Sequence, residues 1–265
     1  MKNFSLILLF TLFIACKKDI APKVNLKESE LAVLYHQIAF YTDDIDKEFL
    51  IVFESGLGDD HTVWQTKKVA EKSTAFADVL LYDRAGYGHS TSSGITRDIP
   101  NLSNDLHTLI EQARNGRKLI LVGHSLGGMI IRDYAIKYPA HVAGLLFVDA
   151  SHELYNSINQ DQENQIVQAL VDAYGQNSPA VAEASELMED SAYMASLPLL
   201  PDVPTVAVGS MKVDKNHTAA DRKLWFDSKE ALGVGLGHFQ HITTEKSGHY
   251  IMIDELELVL KLIKE

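Results

Sequence analysis

The chain alternates between short continuous runs of apolar residues and longer stretches in which apolar residues recur at helical spacing. A short run rich in β-branched residues is typical of a buried strand, and recurrence every three or four positions is typical of an amphipathic helix. Strands are predicted in two weaker pieces between residues 31 and 41, and at 49–53, 79–82, 119–122, 142–148, 204–208 and 239–243. Helices are predicted at 101–114, 126–138 and 254–262, with two more within 152–200. Because no Gly/Ser/Pro-rich linker divides the 265 residues, we expect one α/β domain with an insertion.

The segment Gly123-His124-Ser125-Leu126-Gly127 joins one predicted strand directly to a predicted helix. Glycine at positions 123 and 127 removes side chains that would collide in so short a turn. Ser125 at the apex would adopt a strained backbone conformation with its hydroxyl held clear of the chain. The amides and the positive dipole end of the following helix would favour an oxyanion beside it. The pattern therefore predicts Ser125 as a nucleophile, with a merely structural tight turn as the alternative.

Two further motifs and one histidine accompany this turn in a recognisable order. The sequence ESGLG at 54–58 follows the strand at 49–53, and DRAGYGHS at 83–90 follows the strand at 79–82. His249, within KSGHY at 246–250, follows the last predicted strand. With its G-x-S-x-G turn and D-x-x-G-x-G-x-S segment, the chain resembles the α/β-hydrolase superfamily, in its serine esterase and lipase-like branch. This resemblance implies the α/β-hydrolase fold, a mostly parallel eight-stranded sheet flanked by helices.

The resemblance also implies roles for the residues around the turn. The superfamily forms an oxyanion hole from two backbone amides, which here are those of Leu57 and Leu126. A plain glycine turn at 56–58 is the alternative for the first of them. Asp83 and Arg84 are expected to form a structural ion pair without a part in the chemistry.

His249 is the histidine that the resemblance assigns as general base, because it follows the eighth strand. His124 is expected to pack beside the turn. Family members carry the triad acid after the sixth or the seventh strand, so both Asp149 and Asp214 are candidates. Asp149 is favoured because it ends the sixth strand, whereas Asp214 lies two residues beyond the usual position. The alternatives are a strand-end aspartate that caps local amides for Asp149, and a solvated loop charge for Asp214.

The stretch 152–200 contains eight acidic residues and neither lysine nor arginine. Two helices are predicted in it, the first ending at Gly175 and the second beginning at Ser178-Pro179. The resemblance makes this insertion, between the sixth and seventh strands, a lid. Its apolar side chains would either line a substrate pocket or pack within the lid; they are Tyr174, Met188, Tyr193 and Met194.

The first fifteen residues combine a short basic start with the apolar run 4–15, which is too short to span a bilayer as one helix. This composition predicts a signal peptide over 1–15. The sequence Leu-Phe-Ile-Ala-Cys at 12–16 resembles a bacterial lipobox, which implies that Cys16 becomes a lipid-modified N-terminus. Residues 16–30 would then be a tether, the hydrolase domain would cover 31–265, and the protein would be anchored in the cell envelope. An ordinary signal peptide that contains a cysteine is the alternative.

The composition excludes some functions and leaves others open. A formal net charge of −12 argues against binding nucleic acid and against electrostatic docking on anionic lipid. No residue spacing indicates a metal site, since Asp59-Asp60-His61 is too short to hold an ion alone, and no cofactor is expected. The expected function is hydrolysis of a small or medium uncharged carboxylic ester. Amide hydrolysis, acyl transfer and a catalytically silent binding protein remain open, and the sequence does not specify the oligomeric state.

Overall fold

A computed structural model describes residues 26–33, 36–43, 45–155, 158–214 and 217–265. The predicted signal peptide, Cys16 and the tether up to residue 25 lie outside these described residues. Among the described residues, no helix combines the length and the apolar character needed to cross a membrane.

The described chain forms one eight-stranded sheet with helices on both faces. Its strands are β1 (Lys27–Val33), β2 (His36–Thr42), β3 (Phe49–Glu54), β4 (Asp78–Tyr82), β5 (Lys118–His124), β6 (Val142–Val148), β7 (Thr205–Ser210) and β8 (Phe239–Thr244). Its helices are α1 (Thr62–Gln65), α2 (Val69–Ser73), α3 (Ile99–Ala113), α4 (Leu126–Lys137), α5 (Gln160–Tyr174), α6 (Pro179–Ala184), α7 (Leu187–Ser196), α8 (Ala219–Leu232), α9 (Ile251–Asp254) and α10 (Leu256–Lys264), with a 3₁₀ turn at Pro139–His141.

The strands lie in the order β1-β2-β4-β3-β5-β6-β7-β8. The pairs β1/β2 and β2/β4 are antiparallel, and all the others are parallel. The predicted mostly parallel α/β-hydrolase sheet is therefore confirmed. Because the carboxyl ends of the parallel strands share one edge, the segments that follow β3, β5, β6, β7 and β8 meet there.

Two hydrophobic clusters cover the two faces of the sheet. Successive strand residues point to opposite faces, so Leu121 of β5 lies in the cluster with α3 and α4, and Val122 lies in the cluster with α2 and α10. Both residues are fully buried. Burial on both faces explains why the central strands are continuous apolar runs that the sequence made easy to recognise.

The first strand begins earlier than the sequence predicted. Residues 27–30 were expected in the tether, with the domain starting at Leu31, but they pair with β2 as part of β1. Ser29 lies opposite Phe40, and Lys27 opposite Thr42. An edge strand tolerates charged and exposed side chains, so its polar sequence resembled a linker.

Three helices, not the two expected, lie between β6 and β7 among residues 158–200. Helix α5 ends before Gly175, and the Ser178 side chain caps α6 by accepting a hydrogen bond from the Val181 amide, as predicted. Helix α7 was not predicted separately. The helix predicted at 254–262 is also divided, because Glu255 leaves the helical conformation between α9 and α10.

Candidate active site

Ser125 occupies a strained turn between β5 and α4. Its backbone has φ 52° and ψ −123°, a conformation that side-chain-bearing residues rarely adopt. The two glycines are required by close packing, since a Cβ on Gly123 would lie 2.7 Å from the Gly127 carbonyl oxygen. A Cβ on Gly127 would lie 2.6 Å from the carbonyl oxygen of Glu54. The surrounding backbone therefore fixes the turn that holds Ser125 at the carboxyl edge of the sheet.

His249 and Asp149 form a hydrogen-bonded pair at the same edge. The Nδ1 atom of His249 lies 2.7 Å from Oδ2 of Asp149. The Asp149 side chain is 1% exposed, whereas the His249 imidazole is 38% exposed. The structure thus brings together the predicted base and the favoured acid, although they are 100 residues apart in the chain.

Asp149 is held by two donors in addition to His249. Its Oδ1 atom accepts hydrogen bonds from the Ser210 amide at 2.8 Å and from Trp225 Nε1 at 2.6 Å. Burial alone would raise the pKa of Asp149, but the hydrogen bonds from His249, Ser210 and Trp225 outweigh it and hold this pKa below its ordinary value. The carboxylate is therefore ionised and fixed in one orientation toward the imidazole.

The alternative acid, Asp214, has a different environment. Its Oδ1 atom lies 3.0 Å from Nδ1 of His217, and both side chains are 36% exposed. It also accepts a hydrogen bond from the His217 amide at 2.9 Å. These contacts place Asp214 in a local surface turn, which leaves Asp149 as the carboxylate in contact with His249.

His124 connects the Ser125 turn to the loop that carries His249. Its Nε2 atom lies 3.1 Å from the backbone carbonyl oxygen of His249, and the two imidazole centroids are 4.5 Å apart. Burial, and then the nearby His249, lower the pKa of His124 to about 3, so the ring is neutral and donates from Nε2. The predicted packing role of His124 agrees with these contacts.

The Ser125 hydroxyl forms no hydrogen bond of 3.5 Å or less with any side chain or backbone group in the described part of the chain. Hydrogen bonds between a nucleophile and its base are often long in the free enzyme and shorten when substrate binds. His124 immediately precedes Ser125, and its hydrogen bond to the His249 carbonyl oxygen holds the loop of His249 beside the Ser125 turn.

The loop after β3 lies directly beside Ser125. A Cβ on Gly56 would lie 3.1 Å from the Ser125 Cβ and 2.9 Å from His124 Nδ1, so glycine allows this close approach. Within the described residues, neither the Leu57 amide nor the Leu126 amide donates a hydrogen bond to another protein group. Two unpaired N–H groups next to a candidate nucleophile are the arrangement that an oxyanion hole requires.

The predicted ion pair between Asp83 and Arg84 is wrong. The guanidinium of Arg84 instead binds Glu183 of α6 at 2.7 Å and Glu54 at 2.9 Å, and all three side chains are almost completely buried. Burial opposes the charge of Arg84, but the two carboxylates hold its pKa well above the ordinary value. Asp83 accepts hydrogen bonds from the amide and the ring of His61. The two side chains therefore have separate partners and do not pair with each other.

Arg84 also binds the backbone of the loop after β3. Its Nη1 atom donates to the Ser55 carbonyl oxygen and its Nη2 atom to the Gly56 carbonyl oxygen, each at 2.8 Å. One side chain therefore connects helix α6 of the insertion with the loop that carries the Leu57 amide.

The four apolar residues predicted at the lid have different positions. Met194 is fully buried in the core cluster with α3 and α4, and the Tyr193 hydroxyl donates to Asp133 of α4 at 2.6 Å. Tyr174 is 61% exposed at the end of α5. The amide of Met188 donates to Glu163. Met194 and Tyr193 thus pack the insertion onto the domain.

Sequence reasoning missed helix α8 and the residues that it places behind Asp149. Besides Trp225, this helix carries Lys229, which is completely buried with its Nζ atom 3.4 Å from the centre of the Trp225 ring. Burial lowers the pKa of Lys229 to about 7, against the opposing attraction of Asp149. The signal that could have located α8 is the capping box formed by Thr218 and Asp221.

A sequence profile described as the alpha/beta hydrolase fold matches residues 50–226, which is more than half of the chain. The chain belongs to the α/β-hydrolase fold family. The candidate residues Ser125, Asp149 and His249 follow one another along the chain in that order.

Similar proteins include lipases, esterases and other hydrolases of this family. The chain is 38% identical to the human (lyso)-N-acylphosphatidylethanolamine lipase over 71 residues, which are 26% of this chain and 21% of the human protein. Matches of this kind span less than a third of the length of the curated relatives.

Two solved structures share the fold over almost the whole chain. A thermophilic esterase from Thermogutta terrifontis has a TM-score of 0.62 at 16% identity, with 90% of this chain and 97% of that chain covered. The epoxide hydrolase CorEH has a TM-score of 0.66 at 13% identity, with 89% of this chain and 96% of that chain covered. At such identities the likeness establishes the fold alone.

Proposed function

We propose that this α/β-hydrolase is a serine hydrolase that cleaves carboxylic esters through an acyl-enzyme on Ser125. The observation that carries the proposal is the His249–Asp149 hydrogen bond of 2.7 Å at the edge of the sheet where Ser125 occupies its strained turn. A nucleophile, a base and an orienting acid in chain order Ser, Asp, His are the parts that acyl transfer requires.

In the first half of the reaction, His249 removes the proton of the Ser125 hydroxyl as the oxygen attacks the ester carbonyl carbon. The carbonyl oxygen becomes an oxyanion, which accepts hydrogen bonds from the Leu57 and Leu126 amides. Asp149 holds the imidazole in the tautomer with its proton on Nδ1 and stabilises the imidazolium. His249 then gives its proton to the departing alkoxide, and the alcohol leaves.

In the second half, water attacks the acyl-enzyme. His249 takes a proton from this water, the same two amides stabilise the second oxyanion, and the proton returns to the Ser125 oxygen as the acid is released. The 38% exposure of the His249 side chain supports entry of water to the base.

The nucleophile type supports ester chemistry over its nearest alternatives. Dehalogenases and epoxide hydrolases of this superfamily use an aspartate at the turn, and this chain has Ser125 there. The human relative at 38% identity is named as a lipase, which favours an acyl substrate. The insertion, which we propose acts as a lid, has eight acidic residues and neither lysine nor arginine over 152–200, so uncharged esters fit better than anionic ones.

Steady-state hydrolysis of p-nitrophenyl esters of increasing acyl length tests this function. We expect saturable hydrolysis, and Ser125→Ala lowers kcat by about 10⁴–10⁶. Ser185→Ala, whose hydroxyl only donates to a helical carbonyl, is the matched control and keeps full activity. Folded protein that hydrolyses no ester of the panel, or Ser125→Ala protein with normal turnover, would contradict the proposal.

We further propose that the protein is a lipoprotein of the bacterial cell envelope, anchored through Cys16. The support is the sequence at 12–16 and the apolar run before it. Washing membranes first with high salt and then with detergent tests the anchor. We expect that only detergent releases the protein, and that the Cys16→Ala protein, which lacks the lipid, does not stay attached to the washed membranes. Release of the wild-type protein by salt would contradict the anchor.

A further inference from the structure

Three metal-ligating side chains converge on the face of the domain formed by α3 and the 3₁₀ turn before β6. His107 and Glu111 are four residues apart on α3, so they lie on one face of the helix, and His141 ends the 3₁₀ turn. One ligand atom of each residue lies within 4.8 Å of those of the other two. The Oε1 atom of Glu111 is 3.7 Å from Nδ1 of His141.

The surroundings hold both histidines in place. The ring of Tyr138 stacks on that of His107 with centroids 3.8 Å apart and an interplanar angle of 4°. The Tyr134 hydroxyl lies 3.1 Å from Nδ1 of His141. Among the described residues, the buried Nδ1 atom of His107 has no hydrogen-bond partner. A buried polar atom without a partner is unusual, and an unobserved ligand is one explanation.

We propose that His107, Glu111 and His141 bind a divalent transition-metal ion, with Zn²⁺ as the preferred occupant. Two imidazole nitrogens and one carboxylate oxygen form a donor set that zinc accepts, and water would complete a tetrahedral shell. Ligand atoms about 2.1 Å from a central ion would lie closer together than they do now, so small side-chain rotations accompany binding.

Glu111 already has a partner, and this partner is compatible with a metal. Its Oε1 atom accepts from Arg114 Nε at 2.6 Å and its Oε2 atom from Arg114 Nη2 at 3.4 Å. A carboxylate has about four lone-pair positions on its two oxygens, so it can bind an ion and keep one hydrogen bond to Arg114. Hydrogen-bonded carboxylate ligands of this kind are common around metal ions.

The site is distant from the proposed catalytic residues. His141 precedes the first residue of β6 and Asp149 follows its last, and a strand of this length spans roughly 20 Å. The ion would therefore join α3 to the start of β6 and stabilise the folded chain without entering the hydrolytic reaction.

A second cluster, Asp60, His61 and Asp83, has ligand atoms equally close together but does not carry the same inference. His61 Nδ1 is 2.6 Å from Asp83 Oδ1, and Asp60 Oδ1 accepts from the Thr62 amide. These ligand atoms therefore already have hydrogen-bond partners, either in the cluster or at Thr62.

Titration of the untagged, EDTA-treated chain with Zn²⁺ by calorimetry tests the site, and Co²⁺ absorption reports its geometry. We expect one equivalent of Zn²⁺ with micromolar affinity, a four-coordinate Co²⁺ spectrum and a higher Tm with metal. Loss of groups that merely support a metal ligand costs about 10–100-fold in affinity, so His107→Ala and Glu111→Gln weaken binding by at least that factor. Ester hydrolysis stays unchanged.

His217→Ala removes an exposed histidine paired with Asp214 and is the matched control, with wild-type affinity expected. Glu111→Gln keeps the size of an exposed side chain and therefore gives a result even if His107→Ala does not fold. Absence of saturable binding in the wild-type chain, or equal affinity in Glu111→Gln and wild type, would overturn the proposal.

Discussion

Arg84 Nη2 donates a hydrogen bond of 2.8 Å to the carbonyl oxygen of Gly56. The peptide that carries this carbonyl also carries the Leu57 N–H, and in a planar trans peptide the two groups point in opposite directions. By fixing the carbonyl on one side, Arg84 fixes the amide on the other. The guanidinium is thus a positioning group for one of the two proposed oxyanion donors.

Replacing this guanidinium should therefore reduce turnover more than substrate binding. In Arg84→Lys a single ammonium cannot bind both the Ser55 and Gly56 carbonyls and both glutamates. Loss of an oxyanion donor costs about 10²–10³ in kcat, so we expect a fall of about 10² with little change in KM. Arg114→Lys on the surface is the control. A folded Arg84→Lys protein with unchanged kcat would contradict this role.

The triad acid is identified by comparing two isosteric substitutions. Asp149→Asn removes the charge that orients and stabilises His249, and we expect kcat to fall by about 10⁴, as for the equivalent change in serine proteases. Asp214→Asn should leave kcat within about twofold, since the side chain contacts His217 in a surface turn. Both kcat values come from the same ester assay. The opposite ranking would transfer the role to Asp214.

Trp225 supports Asp149, the proposed acid, through one hydrogen bond. Trp225→Phe keeps an aromatic ring in the site but removes the Nε1 donor, which is 2.6 Å from Asp149 Oδ1. Hydrogen bonds to charged groups contribute about 1.5–3 kcal/mol, so a fall in kcat of about 10- to 100-fold is expected. KM should change little, because the indole is almost completely buried. An equal loss in kcat and gain in KM would indicate a packing effect instead.

The buried Asp190 should make stability depend on pH. Burial, and then the nearby acidic residues Asp98, Glu186 and Glu183, raise its pKa to about 8, although the Ile99 amide donates to it at 2.7 Å. The folded chain keeps this proton and the unfolded chain releases it above about pH 4. Between about pH 4 and 8 the unfolded state binds fewer protons, so the contribution to the free energy of unfolding falls as pH rises.

Asp190→Asn keeps an acceptor for the Ile99 amide and removes the titration. We expect a higher Tm than wild type at pH 8.5 and a several-fold smaller gain at pH 5, with each 1 kcal/mol corresponding to about 2–4 °C. Asp161→Asn at the exposed start of α5 is the control and should show no such difference. Equal Tm changes of Asp190→Asn at both pH values would contradict the assignment.

The central strands and the Ser125 turn could be predicted because their physical signals are local. A buried parallel strand is a continuous apolar run, and a strand that enters a helix through one tight turn needs glycines at fixed positions. Asp149 could be proposed because it ends such a strand. The start of β1 was misplaced for the same reason: residues 27–30 form an exposed edge strand and contain no apolar run.

The partners of Arg84 and Asp149 could not be predicted because they come from distant parts of the chain. Glu183 is 99 residues from Arg84, and Trp225 is 76 residues from Asp149. Neither residue carries a local sign of its role, and helix α8 shows a capping box but no strong apolar face. Likewise His141 lies near His107 only because the sheet brings the start of β6 beside α3.

Covalent labelling with a fluorophosphonate, read by intact mass and peptide mapping, tests the central claim most directly. The reagent needs a nucleophilic serine activated by a base, so it reports the proposed site without knowledge of the natural substrate. We predict one adduct per chain, located on Ser125 and formed far more slowly in His249→Ala. Folded protein that forms no adduct, or an adduct on another serine, would contradict the account.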